Sequence, residues 1–229
     1  MTDASSNSLL QDREKNAWVL IGVLTAIVEV CYANTIKGTA VAWNSPMYNH
    51  GYLIPLFAVF LLFQRREPFV EVSQRDRWWG VGLIVLATVM RVLGAVLVQF
   101  SLDRLSLVVC LLGVFVLVGG LRALRWAGPA IGFLVFMFPL PGFLVDNIMR
   151  PLQTLATKSS VYALQTLGVD AYREGNRIIL EHTPMNVVDQ CSGLRMLTIF
   201  IALAVAIVML SSHRPWWERI AILLSSIPI

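Results

Sequence analysis

The sequence predicts an all-α polytopic transmembrane bundle with a small extracytoplasmic insertion, an amphipathic helix plus a β-hairpin. Three observations predict it. The 229 residues are 57% hydrophobic and only 14% charged, where an average soluble domain carries roughly 25% charged residues. Mean hydropathy is +0.69, and a globule this small cannot hide that much apolar surface, so lipid must solvate it. The apolar residues also fall in successive helix-length runs, interrupted once by the mixed segment 143–190.

Residues 1–16 are polar and of mixed charge, and read as a cytoplasmic tail. No small-x-small cleavage site follows them, so the first helix is expected to stay as an anchor. Residues 17–142 then hold five transmembrane helices. Ala17 to Ile36 is the first apolar run, with Glu29 inside it. From Gly38 the stretch with Trp43, Asn44, Pro46 and Asn49 reads as loop, and Gly51 to Phe63 as the second helix. Trp78 to Phe100 is the third and contains Arg91; Leu105 to Leu121 is the fourth. Trp126 to Leu140 is the fifth, ended by the helix breaker Pro139-Leu140-Pro141-Gly142.

The insertion, residues 143–190, differs in character. From Phe143 to Leu167, the residues Val145, Ile148 and Met149, then Leu152, Leu155 and Ala156, keep helical spacing among Asp146, Arg150, Gln153 and Lys158. That pattern makes an amphipathic helix on the membrane or against the bundle, and Gly168 ends it. Glu174-Gly175-Asn176 between apolar-flanked segments predicts a hairpin turn, with a second extended piece beginning at Val187-Val188. Residues 191–229 hold a cysteine segment, a clean sixth helix from Met196 to Ser212, and the start of a seventh from Ile220 to Ile229, too short for the roughly 20 residues a span needs.

The net charge is 18 − 14 = +4, and its placement reports topology. Arg65, Arg66, Arg75, Arg77, Arg122, Arg125, Arg214 and Arg219 share one side with Arg13 and Lys15; the opposite short loops hold only Lys37 and Arg104. The basic side is cytoplasmic, so the insertion, His50, His182 and Cys191 face outward and His213 inward. No basic-aromatic patch on a soluble domain points to nucleic acid. Cys31, Cys110 and Cys191 form no C-x-x-C pair, so neither a metal nor a redox cofactor is expected. Cys31 and Cys110 read as packing residues.

The sharpest local feature is Val188-Asp189-Gln190-Cys191-Ser192-Gly193-Leu194-Arg195-Met196. A strand ends, a cysteine follows and an apolar helix begins. Free N–H groups and the dipole at a helix start stabilise a thiolate. Arg195, about one turn on, adds positive charge, and backbone N–H groups near Gly193 can bind an oxyanion. Such a thiolate attacks peptide carbonyls. The bland alternative is a buried cysteine with Arg195 reaching to lipid head groups. His50 and His182 are the nearby acid–base candidates; each also reads as an ordinary loop histidine. Glu29 and Arg91 are intramembrane charges, read as a pair across helices or as a transport path.

Residues 191–195 resemble the hallmark Cys-Ser-Gly-Leu/Ile-Arg segment of the exosortase/archaeosortase family of membrane cysteine transpeptidases. Tyr48-Asn49-His50-Gly51-Tyr52-Leu53-Ile54-Pro55 resembles that family's Ser-His-Gly start of an early helix. Arg65-Arg66, Phe138-Pro139-Leu140-Pro141 and Glu174-Gly175-Asn176 also look like family features. The resemblance implies that Cys191 is a nucleophile acting through a thioester. It implies substrates that are exported proteins with a C-terminal sorting signal (a Pro-Glu-Pro-type motif, a transmembrane helix and a basic tail), an acceptor of unidentified chemistry, and an inner-membrane location. Asp189-Gln190 stands where the family has a small residue before the cysteine. The family's catalytic Arg, which Arg195 does not match, and its final His would fall beyond Ile229, so the chain is expected to be truncated. The alternatives are a scaffold that binds sorting-signal helices without cutting them, or a small transporter using Glu29 and Arg91.

Overall fold

The computed structural model describes residues 2–68, 72–144, 146–147, 150–180, 183–186, 194–211 and 215–225, with the backbone alone for 2–11, 13, 144, 183–186 and 194–197. The chain forms two compact units, Met1–Phe138 and Pro139–Ile229.

In the first unit, α1 spans Thr2–Cys31. The polar start, expected as a tail, is helical because Leu, Gln, Arg, Glu and Lys are good helix formers. A bend of 74° separates the Glu14–Cys31 part from α2, Ala33–Trp43. The stretch from Gly38, expected as loop, is therefore helical as far as Trp43. Neither Pro nor Gly causes the bend. Its centre is Tyr32, whose hydroxyl bonds Ser106 Oγ at 2.9 Å, so contacts far away in the chain hold the kink.

A 3₁₀ turn, Asn49–Tyr52, leads into α3, Leu53–Gln64. Then α4, Gln74–Val96, and α5, Phe100–Gly119, form a tight helical hairpin. The third and fourth helices were expected to meet between Phe100 and Leu105. Instead the turn lies at residues 97–99, and Asp103 and Arg104 belong to α5. Small residues make the seam: Gly80, Ala87 and Gly94 on α4 and Ser106 and Gly113 on α5 are buried, each set at heptad spacing. Close approach through small side chains is how helices associate in lipid, where apolar burial gives little drive.

α6, Ala123–Phe133, continues as a 3₁₀ turn, Leu134–Met137. The expected end at Leu140 is too late. Phe138 is extended, with ψ 144°, because the ring of Pro139 disfavours helical geometry in the residue before it. At the other end of these helices Trp126 meets Trp18 at 5.9 Å and Phe115 at 5.8 Å.

The second unit opens with a single turn, α7, Gly142–Leu144, followed by α8, Arg150–Thr166. Gly168 has φ +80°, the left-handed conformation that ends helices. Strands β1 (Ala171–Glu174), β2 (Arg177–Leu180) and β3 (Thr183–Asn186) form an antiparallel sheet in that order. The β1–β2 turn is the expected one, with Gly175 at φ +62°. β3 precedes the second extended piece expected from Val187; Val187 and Val188 lie outside the described residues. Val161 of α8 packs on Ala171 and Ile178, joined by Leu164 and Leu180. The buried residues of α8 are Gln153, Thr157 and Val161, so the expected stripe through Leu152, Leu155 and Ala156 is not the one facing the sheet. Leu155 is 62% exposed. Val145, Ile148 and Met149 lie outside the described residues. The unit closes with α9, Leu194–Leu210, and α10, Trp216–Ser225.

By length and composition, two described helices can cross a membrane, Gln74–Val96 and Phe100–Gly119, or three if the bent pair Glu14–Cys31 and Ala33–Trp43 is one span. Asn49–Gln64, Ala123–Met137 and Thr198–Leu210 are shorter apolar helices.

Candidate functional site

Two segments singled out in the sequence, Tyr48–Pro55 and the one leading into Phe138-Pro139, are joined by Trp43. Its indole N–H donates to the Met137 carbonyl at 2.8 Å. Its ring meets Tyr52 edge-on at 4.9 Å, and the Tyr52 hydroxyl donates to Asn44 Oδ1 at 3.0 Å. Gly51 lies against the indole, where any Cβ would overlap it. That close approach explains a glycine directly after His50: only a residue without a side chain lets the 3₁₀ turn lie under the ring. His50 is thus half-buried in a turn fastened to the end of the Leu134–Met137 segment.

A second polar cluster surrounds the bend at Tyr32. Arg91 Nε lies 3.6 Å from Asp103 Oδ1, and its Nη2 donates to the Cys31 carbonyl at 2.8 Å. The guanidinium also sits 4.2 Å over the Tyr32 ring, a cation–π contact. Thr35 Oγ1 donates to Asp103 Oδ2 at 2.6 Å, and Ser106 Oγ donates to the Asp103 carbonyl at 2.6 Å. The expected Glu29–Arg91 pair is therefore replaced by Arg91–Asp103. Glu29 is on the exposed side of α1, whereas Asp103 enters the tight α4–α5 hairpin one turn from its start. The cue was present in the sequence: once the third-to-fourth helix turn is shortened, Asp103 becomes an intramembrane acid opposite Arg91. An Arg held by a carboxylate, a carbonyl and a ring is a structural clamp on the bend.

In the second unit the hairpin is latched to α8. Asn176 Nδ2 donates to Gln153 Oε1 at 3.0 Å, and Thr154 Oγ1 donates to Asn176 Oδ1 at 3.4 Å. Thr157 Oγ1 donates to the Gln153 carbonyl at 2.7 Å, and Gln165 Nε2 to the Ala171 carbonyl at 2.8 Å. Glu174-Gly175-Asn176 thus has a physical account: Gly175 supplies the positive φ and Asn176 supplies the latch. Composition alone did not signal that role.

Of the four residues proposed from sequence, only His50 has a described side chain. Arg195 falls in the first turn of α9, described as backbone. Cys191 and His182 lie outside the described residues. Among the described residues no group of three or more His, Cys, Asp or Glu side chains could hold a metal ion.

These features define a membrane protein of packed apolar helices with a small α/β module in its second unit. Residues 42–229 match the transmembrane exosortase family, and the chain belongs to it. Exosortases are, as a family, membrane cysteine transpeptidases that act in protein sorting. No curated protein and no solved structure matches the chain. The family match begins at Ala42, so it takes in Trp43, His50, Asn176 and Cys191, and leaves out the Tyr32 bend.

Proposed function

We propose that the chain is an exosortase-type cysteine protease and transpeptidase of the bacterial inner membrane that processes the C-terminal sorting signal of exported proteins. The observation that carries this is the family match over residues 42–229, which contains Cys191-Ser192-Gly193-Leu194-Arg195 followed by an apolar helix. In the proposed reaction the Cys191 thiolate attacks the carbonyl carbon of a peptide bond near a Pro-Glu-Pro-type motif. The C–N bond breaks, the leaving amine takes up a proton, and the substrate is held as a thioester. An acceptor nucleophile or water then attacks the thioester, gives up its proton and releases the thiolate.

Two features support the assignment of roles. Leu194 is the first described residue of α9, and the positive end of a helix beginning near Cys191 lowers a thiol pKa, with Arg195 adding charge. His50 is half-buried at the start of α3, on the side assigned as external by the basic loops; it and His182 are the proposed proton-transfer groups.

The proposed organisation keeps the N-terminus, 1–16, cytoplasmic and places five helices in 17–142. The outer module is 143–190, and 191–229 carries the cysteine segment, a sixth helix and the start of a seventh. Substrates with their own transmembrane helix can dock in the plane of the bilayer beside these helices.

The test is co-expression of the complete open reading frame containing this chain with an exported reporter that ends in a sorting signal. Processing of the reporter should fall to background in Cys191→Ala. Processing undiminished in that variant would overturn the proposal.

A further inference from the structure

We infer that the face of α8 turned away from the sheet is a docking surface for the bilayer, with a site for the phosphate of an anionic phospholipid at its N-terminal half. The inference stands on the geometry of the module and is independent of the peptidase reading.

The sheet takes the Gln153, Thr157 and Val161 side of α8. On the opposite side of a 3.6-residue helix lie Pro151, Leu155, Lys158 and Tyr162. Leu155 is 62% exposed and Tyr162 71% exposed. A mixed face of Pro151, Leu155 and Tyr162 with Lys158 and Ser159 has the make-up of an interfacial helix, with the tyrosine ring at head-group level and the lysine stem along the apolar surface. At its N-terminal end a concavity of about 460 Å³ is lined by Asp146, Arg150, Pro151, Thr154, Leu155 and Lys158.

The lining has two cations and one carboxylate. Asp146 Oδ1 lies 3.0 Å from Nε of Arg150, and a guanidinium has five N–H donors. Arg150 and Lys158 suit a phosphate oxygen, while Pro151 and Leu155 form an apolar wall suited to glycerol and acyl carbons. A soluble phosphate uses only the first half of that surface.

Chain connectivity selects lipid as the occupant. The apolar helix Ala123–Met137 precedes the module and α9 follows it. The module is thus tied at both ends to apolar helices of a transmembrane-family chain, which would hold it at high effective concentration beside head groups. Each basic residue near an anionic surface then shifts the docked-to-undocked ratio about five-fold.

The test uses the full chain with Cys31, Cys110 and Cys191 replaced by serine, and single nitroxide labels at Leu155→Cys, Tyr162→Cys and, on the hairpin, Glu174→Cys. Accessibility to oxygen and to a water-soluble nickel complex is measured in phosphatidylcholine vesicles with and without phosphatidylglycerol. Labels at 155 and 162 should be oxygen-rich and nickel-poor when phosphatidylglycerol is present, with 174 open to nickel. Arg150→Gln with Lys158→Gln should reverse this, Lys158→Arg should not, and added inorganic phosphate should leave it unchanged. Circular dichroism confirms that each variant is folded.

Three results would overturn the inference. Labels at 155 and 162 as open to nickel as 174 would mean that the face is in water. Shielding from both reagents would mean that protein covers it. Docking that ignores phosphatidylglycerol and both charges, or that inorganic phosphate reverses, would remove the lipid phosphate site.

Discussion

Replacing Gly80 with alanine should destabilise the first unit, while the same change at Gly82, two positions along the same helix, should stabilise it. A Cβ at Gly80 would lie 2.5 Å from the Leu117 amide nitrogen and 2.6 Å from its Cα. Ordinary contact needs about 3.5 Å or more, so α4 and α5 must part by about an ångström. The obstacle is backbone, which cannot rotate away. Overpacking of this kind costs about 1–3 kcal/mol, and the gain in helix propensity from Gly to Ala returns only about 1 kcal/mol. The net loss is up to about 2 kcal/mol.

A Cβ at Gly82 meets nothing within 4 Å, so only the chain-entropy gain of about 0.5–1 kcal/mol acts. Gly113 should fall between the two, since its nearest neighbour is the movable Ile84 Cγ1 at 2.7 Å. Unfolding of the purified chain in mixed micelles by sodium dodecyl sulfate titration, followed by circular dichroism, measures the difference. Equal effects at 80 and 82, or stabilisation by Gly80→Ala, would refute the packing of α4 on α5 through this seam.

Three further outcomes are expected. Gly51→Ala should cost about 1–3 kcal/mol by displacing the Trp43 indole, yet add little to Trp43→Phe, since the smaller ring leaves room; additive losses in the same titration would separate Gly51 from Trp43. Arg91→Leu should cost about 1–3 kcal/mol by removing the cation that Asp103 and the Cys31 carbonyl hold, and Asp103→Asn in the same chain should recover most of it. No recovery would show that the clamp on the Tyr32 bend does not depend on this pair. Asn176→Ala should cost about 1–3 kcal/mol and appear as faster amide exchange in β1 and β2. Unchanged exchange there would show that the latch to Gln153 and Thr154 does not hold the hairpin.

What was legible in the sequence was what neighbouring residues decide. The Gly175 turn and the Gly168 helix end follow from local backbone preference, and both stand where expected. The positions of α4, α5 and α9 followed from apolar runs to within a few residues. What was not legible depends on partners distant in sequence. The bend at Tyr32 carries no Pro or Gly; it depends on Ser106, 74 residues away, and on Arg91. Arg91 was matched with Glu29 because both stand out in apolar runs, but the shortness of the turn at residues 97–99 brings Asp103 to it instead. Which face of α8 meets the sheet was not legible either. Its polar Gln153 and Thr157 are buried because Asn176 and a backbone carbonyl satisfy them, and no spacing rule announces that. In the candidate site, the segment 191–195 was legible as consecutive letters, and so was the His50-Gly51 pair. The Trp43 contact with Met137 spans 94 positions and required the fold.

The most direct measurement on Cys191 is capture of the covalent intermediate. The complete open reading frame is expressed with a tagged sorting-signal reporter, and membranes are denatured in acid to preserve thioesters. The prediction is an adduct of enzyme and reporter that neutral hydroxylamine releases, that maps to Cys191 by mass spectrometry, and that Cys191→Ala abolishes. Reporter processing that continues in Cys191→Ala, or an adduct that persists in it, would contradict a Cys191 thioester.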